Sequence, residues 1–256
     1  TSQPLAAQAG LAMLAKGGNA ADAALAAAIA LTVVEPTSNG IGGDAFALLW
    51  DGGRLHGLNG SGRSPAAWTP ERFAGLERMP DKGWECVTVP GAPAAWASLS
   101  ERFGKLPFAD LFEPAVRYAR EGFPVSPITA AAWARGAELF GGFPAFRETF
   151  LPGGRAPKPG ERFRFPSAAD TLAILARTRC EDFYRGRLAE RIASGASASG
   201  GALTAADLAS HRSEWVEPLA VDFAGVTLHE LPPNGQGIAA LLALSILDRL
   251  RAGAHP

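Results

Sequence analysis

Interleaved helix and strand signals place this 256-residue chain in the mixed α/β class. Three observations carry that reading. An alanine-rich apolar run over 20–34 is bounded by glycine clusters on both sides. Two short apolar runs, 45–50 and 54–58, flank Asp51-Gly52-Gly53, the pattern of a β-hairpin. Residues 235–251 repeat apolar side chains at helical spacing, with Ile238, Leu241, Leu242, Ile246, Leu247 and Leu250 on one stripe.

Each element has a local cause. Residues 4–16 read as a helix with Pro4 in its first turn and Gly17-Gly18 at its end. The run from Ala20 to Ala30 carries little side-chain bulk, so it predicts a helix pressed close against a neighbour and buried over most of its circumference. Pro36 stops it, and the turn from Asn39 to Gly43 leads into the hairpin. The segment 59–70, rich in Gly, Ser and Pro, reads as a loop. Helices are expected over 92–103 and 108–121, ended by Gly104 and Gly122. Glycines and prolines without periodicity make 141–166 an ordered loop or lid, with a disordered excursion as the alternative. Helices resume at 168–178 and 186–194, and Thr204 caps a short one. A second hairpin turns at Ala224-Gly225. There is no internal repeat.

Composition excludes several classes of function. With 47% hydrophobic and 19% charged residues, the chain has the material for a sizeable core. Lys plus Arg number 24 and Asp plus Glu 25, so no net field favours nucleic acid or a membrane surface. The apolar stretch 20–34 is mostly alanine and contains Asp22, which marks a core helix rather than a membrane span. Cys86 and Cys180 are expected as free buried thiols, with a single bridge as the alternative. The histidines (His56, His211, His229 and His255) are widely spaced, so neither metal nor cofactor is expected. Cytoplasmic residence is the expectation, or periplasmic or secreted if a signal peptide has been removed.

Within the chain there is no convincing nucleophile with its base. Gly60-Ser61-Gly62 has the wrong spacing for G-x-S-x-G and does not lie between strand and helix. Ser61 reads as a turn residue, and His56 on a strand as a satisfied or exposed one.

Four blocks resemble the γ-glutamyltranspeptidase family, in family order. They are GGNAADAALAAAIALTVVEPTSNGIGGDAF (17–46), VPGAPAAWASLSERFGKLPFADLFEPAVRYAREGFPVS (89–126), FYRGRLAERIA with GGALTAADLASHRSEWVEPL (183–219), and LPPNGQGIAALLALSIL (231–247). The resemblance implies a four-layer αββα N-terminal-nucleophile hydrolase fold, with residues 1–256 as a single domain, the large subunit. It also implies self-cleavage of a precursor ahead of a threonine, which becomes the nucleophile at the start of the small subunit. No catalytic residue is then expected in this chain. Its partners would be that small subunit, as a heterodimer or a dimer of heterodimers, and a small-molecule amide substrate. The few strands and the amphipathic terminal helix fit a chain whose apolar edges need such a partner.

In transpeptidases proper, a D-x-R-E-x-A-P stretch after the first hairpin supplies an arginine for the substrate α-carboxylate, a task suited to a planar, permanently charged guanidinium. Here the stretch is Leu58-Asn59-Gly60-Ser61-Gly62-Arg63-Ser64-Pro65-Ala66. A gapless alignment puts Ser61 at the arginine position and Arg63 two places later. The form resembles the branch that includes cephalosporin (glutaryl) acylases. The substrate-binding candidates are therefore Asn59, Ser61 and Arg63, with a structural ion pair as the alternative for Arg63. Pro232-Pro233-Asn234-Gly235-Gln236-Gly237 resembles a family turn near the active-site rim and reads as a rigid turn with a helix cap. The expected activity is cleavage of γ-glutamyl or glutaryl-type amides. An inactive scaffold, or a serine hydrolase using Ser61, are the alternatives.

Overall fold

The computed structural model describes residues 1–253. The helices are α1 (Pro4–Ala15), α2 (Ala20–Val34), α3 (Ala92–Phe103), α4 (Glu113–Glu121), α5 (Pro127–Phe140), α6 (Pro144–Phe150), α7 (Pro166–Thr178), α8 (Glu181–Arg185), α9 (Arg187–Ala198), α10 (Ala205–Ser210) and α11 (Gly237–Gly253). The strands are β1 (Ala45–Trp50), β2 (Leu55–Gly60), β3 (Phe123–Pro124), β4 (Arg162–Phe163), β5 (Glu214–Val216), β6 (Leu219–Phe223) and β7 (Val226–Glu230). The chain divides into two compact units, one formed by 1–41 with 96–195 and the other by 42–95 with the residues from Ala196 onward.

The first unit is helical. Gln3 caps α1, its side-chain oxygen accepting from the amides of Leu5 and Ala6. Asn19 and Asp22 form a reciprocal capping box on α2, each side chain accepting the other's backbone N–H. Asp22 is fully buried and also accepts from the amides of Lys105 and Leu106, so its carboxylate is satisfied by backbone donors. The helices α1 and α2 approach closely: a Cβ at Gly10 would lie 2.8 Å from the carbonyl oxygen of Ala23. Leu25, Ala26, Ile29, Ala30, Val33 and Val34 of α2 are buried, as the alanine-rich pattern implied.

Several boundaries differ from the sequence reading. A 3₁₀ turn over Phe108–Phe112 precedes α4 in place of one helix. Pro114 has no N–H to continue an α-helical ladder through that point. The segment 141–166 is not irregular: it holds α6, a 3₁₀ turn at Pro152–Gly154 and strand β4. Trp133 anchors it, stacking edge-on to Phe163 with centroids 4.7 Å apart and donating from Nε1 to the Phe150 carbonyl at 2.7 Å. Glu161 accepts from Arg155 through both oxygens and from the amide of Lys158. These bonds, the Arg155 bond first, lower its pKa to about 2. Both cysteines are free, as expected, but only Cys180 is buried; Cys86 is exposed.

The second unit is built on an antiparallel sheet of order β1-β2-β5. Its register pairs Phe46 with Asn59 and Trp50 with Leu55, then Leu58 with Trp215 and Asn59 with Glu214. At the β1–β2 turn, Asp51 accepts from the amides of Gly53 and Arg54 and binds His56 Nε2 at 2.6 Å. The His56 bond, followed by the two amides, holds the Asp51 carboxyl well below the usual carboxylate range. The strands β6 and β7 form the second hairpin, with Leu219 opposite Glu230. No helix among the described residues is long and apolar enough to cross a membrane.

Two glycines set the path of the loop that follows β2. A Cβ at Gly62 would lie 1.5 Å from the carbonyl oxygen of Val89, and one at Gly91 would lie 1.9 Å from that of Gly60. The obstacle is backbone in both cases, so no rotamer change makes room. Gly62→Ala is expected to cost about 3 kcal/mol or more, as overpacking does when nothing can move aside. The melting temperature of the purified protein should fall by roughly 6–12 °C. An unchanged melting temperature would show that the loop can shift freely.

Candidate functional site

The loop after β2 brings the sequence candidates together with one residue from a distant segment. Asn59 is the penultimate residue of β2, and its Oδ1 accepts from Ser61 N at 2.9 Å and from Ser61 Oγ at 2.7 Å. This Asx-type turn folds the chain back on itself over 59–61. Asn234, in the turn ahead of α11, lies against both residues. Its Oδ1 is 3.0 Å from Asn59 Nδ2 and 3.0 Å from Ser61 Oγ. Glycines again permit the geometry: a Cβ at Gly60 would lie 2.5 Å from both the Ala45 carbonyl oxygen and the Ala95 side chain.

Arg63 is anchored differently. Its carbonyl accepts from Val89 N at 3.0 Å, and its Nη2 lies 2.8 Å from Glu214 Oε1. The arginine side chain is 86% exposed and that of Glu214 55%, so this is a surface ion pair. Such pairs contribute about 0–1 kcal/mol. The guanidinium points toward Glu214 on β5, while the position of the family arginine in the gapless alignment carries Ser61. Beyond Arg63 the loop is fixed by Asp207, which accepts from Ala66 N at 2.8 Å and from Thr204 in the capping box of α10.

Among the described residues, the Ser61 hydroxyl bonds to the two carboxamides, neither of which takes up a proton at neutral pH. His56, bound to Asp51, sits near the other end of β2. What the cluster offers is hydrogen-bond recognition. Among the described residues, no group of three or more His, Cys, Asp or Glu could hold a metal ion.

Two residues of this arrangement were not singled out from the sequence. Glu214 meets Asn59 only through the β2–β5 register, a pairing across about 150 positions that no local pattern encodes. Asn234 is visible in the Pro232–Gly237 segment, where the sequence pattern reads as a rigid turn. Its asparagine, placed where the resembled turn has its variable residue, was the available signal.

With this geometry in view, comparison with known proteins is informative. The family model described as Gamma-glutamyltranspeptidase matches residues 6–255. The glutathione hydrolase-like YwrD proenzyme of Bacillus subtilis is 40% identical over 247 residues, covering 95% of this chain and 47% of the relative. The oxamate amidohydrolase proenzyme of Klebsiella pneumoniae is also 40% identical, over 254 residues, with coverage of 96% and 48%. Among solved structures, the cephalosporin acylase of Bacillus halodurans superimposes with a TM-score of 0.94 at 51% identity, covering 97% of this chain and 48% of that one. The chain thus spans about half the length of the curated relatives it matches.

Proposed function

The chain belongs to the γ-glutamyltranspeptidase family, and from that premise we propose that it is the large, substrate-recognising subunit of an amide-cleaving acyl transferase or hydrolase. Residues 1–256 serve as one subunit of an αββα N-terminal-nucleophile enzyme. The small subunit, released from the same precursor, carries the nucleophilic threonine. The acyl donor is a small amide of the glutaryl type in preference to a γ-glutamyl one, and Asn59, Ser61 and Arg63 border the acyl pocket.

The observation that carries this reading is the glycine-built loop 59–63, which displays hydrogen-bonding side chains and no proton acceptor suited to activating Ser61. A chain that recognises substrate but does not attack it needs its nucleophile from elsewhere. The two-position shift of Arg63 from the resembled arginine, whose place Ser61 takes, favours the acylase branch, because a γ-glutamyl donor needs a cation at that place for its α-carboxylate.

The exposed apolar surface of the second unit supports a partner chain. On β1, Phe46, Leu48 and Trp50 alternate outward, Trp50 being 64% exposed. On α11, Leu242, Ile246, Leu247 and Leu250 are exposed, Leu250 at 65%. Surfaces of this kind mark interfaces. The free, exposed thiol of Cys86 fits residence in the reducing cytoplasm.

Expression of the full-length precursor tests the reading. Two chains should appear and co-purify, and the material should hydrolyse glutaryl 4-nitroanilide. The 256-residue chain made alone should aggregate. A stable, monodisperse monomer from it would count against the obligate pair, and a precursor that matures without acyl-anilide hydrolysis would favour the inactive scaffold.

A further inference from the structure

The amides of the Asn59–Ser61–Asn234 cluster have one consistent orientation. Ser61 N donates to the side-chain oxygen of Asn59, which fixes that carboxamide with Oδ1 toward the backbone. Its Nδ2 then faces Asn234 at 3.0 Å, so Asn234 must present Oδ1 there, since the reversed amide would set donor against donor. Both carboxamide oxygens are therefore turned into the cluster. Asn234 Nδ2 makes no hydrogen bond within the described residues and keeps two free N–H groups, and Asn59 Nδ2 keeps one. Asn234 is exposed and Asn59 half-buried, so these donors meet solvent. No formal charge lies in the cluster, and the adjacent Arg63–Glu214 pair sums to zero.

We infer that Asn234 is a specificity-determining residue, whose side-chain amide, together with that of Asn59, holds the distal carboxylate of a dicarboxylic acyl donor such as a glutaryl amide. The inference rests on the acyl-transfer reading above and names its recognition element. Three N–H groups suit an oxygen that only accepts hydrogen bonds. The cluster's carboxamide oxygens already have donors, so they are poor partners for the α-ammonium of a γ-glutamyl donor. An acceptor-only acyl tail is selected by that asymmetry.

Asn234→Asp separates recognition from structure. The carboxylate keeps an oxygen for Asn59 Nδ2 and Ser61 Oγ, preserving the turn, but replaces the N–H donors with a second acceptor. The mature two-chain enzyme is titrated with glutarate, the free acid product, by calorimetry, and assayed with glutaryl and γ-glutamyl 4-nitroanilides. Glutarate should bind the unaltered enzyme, and N234D should bind it at least about tenfold more weakly, the scale on which hydrogen bonds to a charged group matter. KM for the glutaryl anilide should rise in step with kcat nearly unchanged, and the preference should move toward the γ-glutamyl anilide. Melting temperature should stay within about 2 °C, on the scale of a small change in stability. Glutarate binding that is absent in the unaltered enzyme, or equal in N234D, overturns the inference. Glutarate binding that N234D weakens, in an enzyme that cleaves no anilide, supports it while the acyl-transfer reading fails.

Discussion

If the proposed small subunit carries the nucleophile, replacing its N-terminal threonine with alanine is expected to abolish both precursor cleavage and amide hydrolysis, a loss of at least about 10⁴-fold in turnover. The size of the effect follows from what the described residues of this chain lack. Ser61 is bonded to two carboxamides, and no base takes its proton among the described residues. His56 is committed to Asp51. The thiol of Cys180 is buried, and that burial pushes its pKa far up, so it supplies no thiolate. No group at the candidate site can substitute for the missing hydroxyl. Active-site titration of the alanine variant with an acyl anilide measures this directly, and chelator treatment of the unaltered enzyme should leave its rate unchanged. Residual hydrolysis above about 0.01% of the unaltered rate, or dependence on zinc, would sink the mechanism.

The elements legible in the sequence were those whose causes are local. Asn19 three residues before Asp22, and Thr204 three before Asp207, are capping boxes that can be read without a structure. Asp51-Gly52-Gly53 announced its hairpin because the aspartate accepts from the two amides that follow within the turn. What escaped was decided by contacts across the chain. The segment 141–166 reads as an ordered loop or lid rather than as helix and strand because its packing comes from Trp133, Phe150 and Phe163, an aromatic cluster that periodicity does not register. At the candidate site, the sequence exposed the departure from the family arginine pattern but not its consequence. Only the strand register brings Glu214 beside Asn59, where it engages Arg63, and only the fold lays Asn234 over Ser61.

That consequence sets the second large effect, on substrate preference. The native enzyme should turn over glutathione and other γ-glutamyl donors about two orders of magnitude less efficiently than glutaryl-type amides. A desolvated charge pair to the donor's α-carboxylate is worth roughly 2–5 kcal/mol where it forms, and each 1.4 kcal/mol is about tenfold. Here Ser61 takes the place of the resembled arginine, and the Arg63 guanidinium two positions on lies 2.8 Å from Glu214. In that case Arg63→Ala removes an exposed ion pair at the border of the proposed pocket, so glutaryl turnover should change by less than about threefold and thermal stability by under about 1 kcal/mol. Glu214→Gln gives the complementary readout: it releases Arg63 and should raise γ-glutamyl turnover while leaving the backbone register untouched. A collapse of carboxylate-bearing donors in R63A at unchanged melting temperature would assign the clamp to Arg63 after all. Robust glutathione turnover by the native enzyme would mean that the two-position shift of the arginine does not remove the α-carboxylate site.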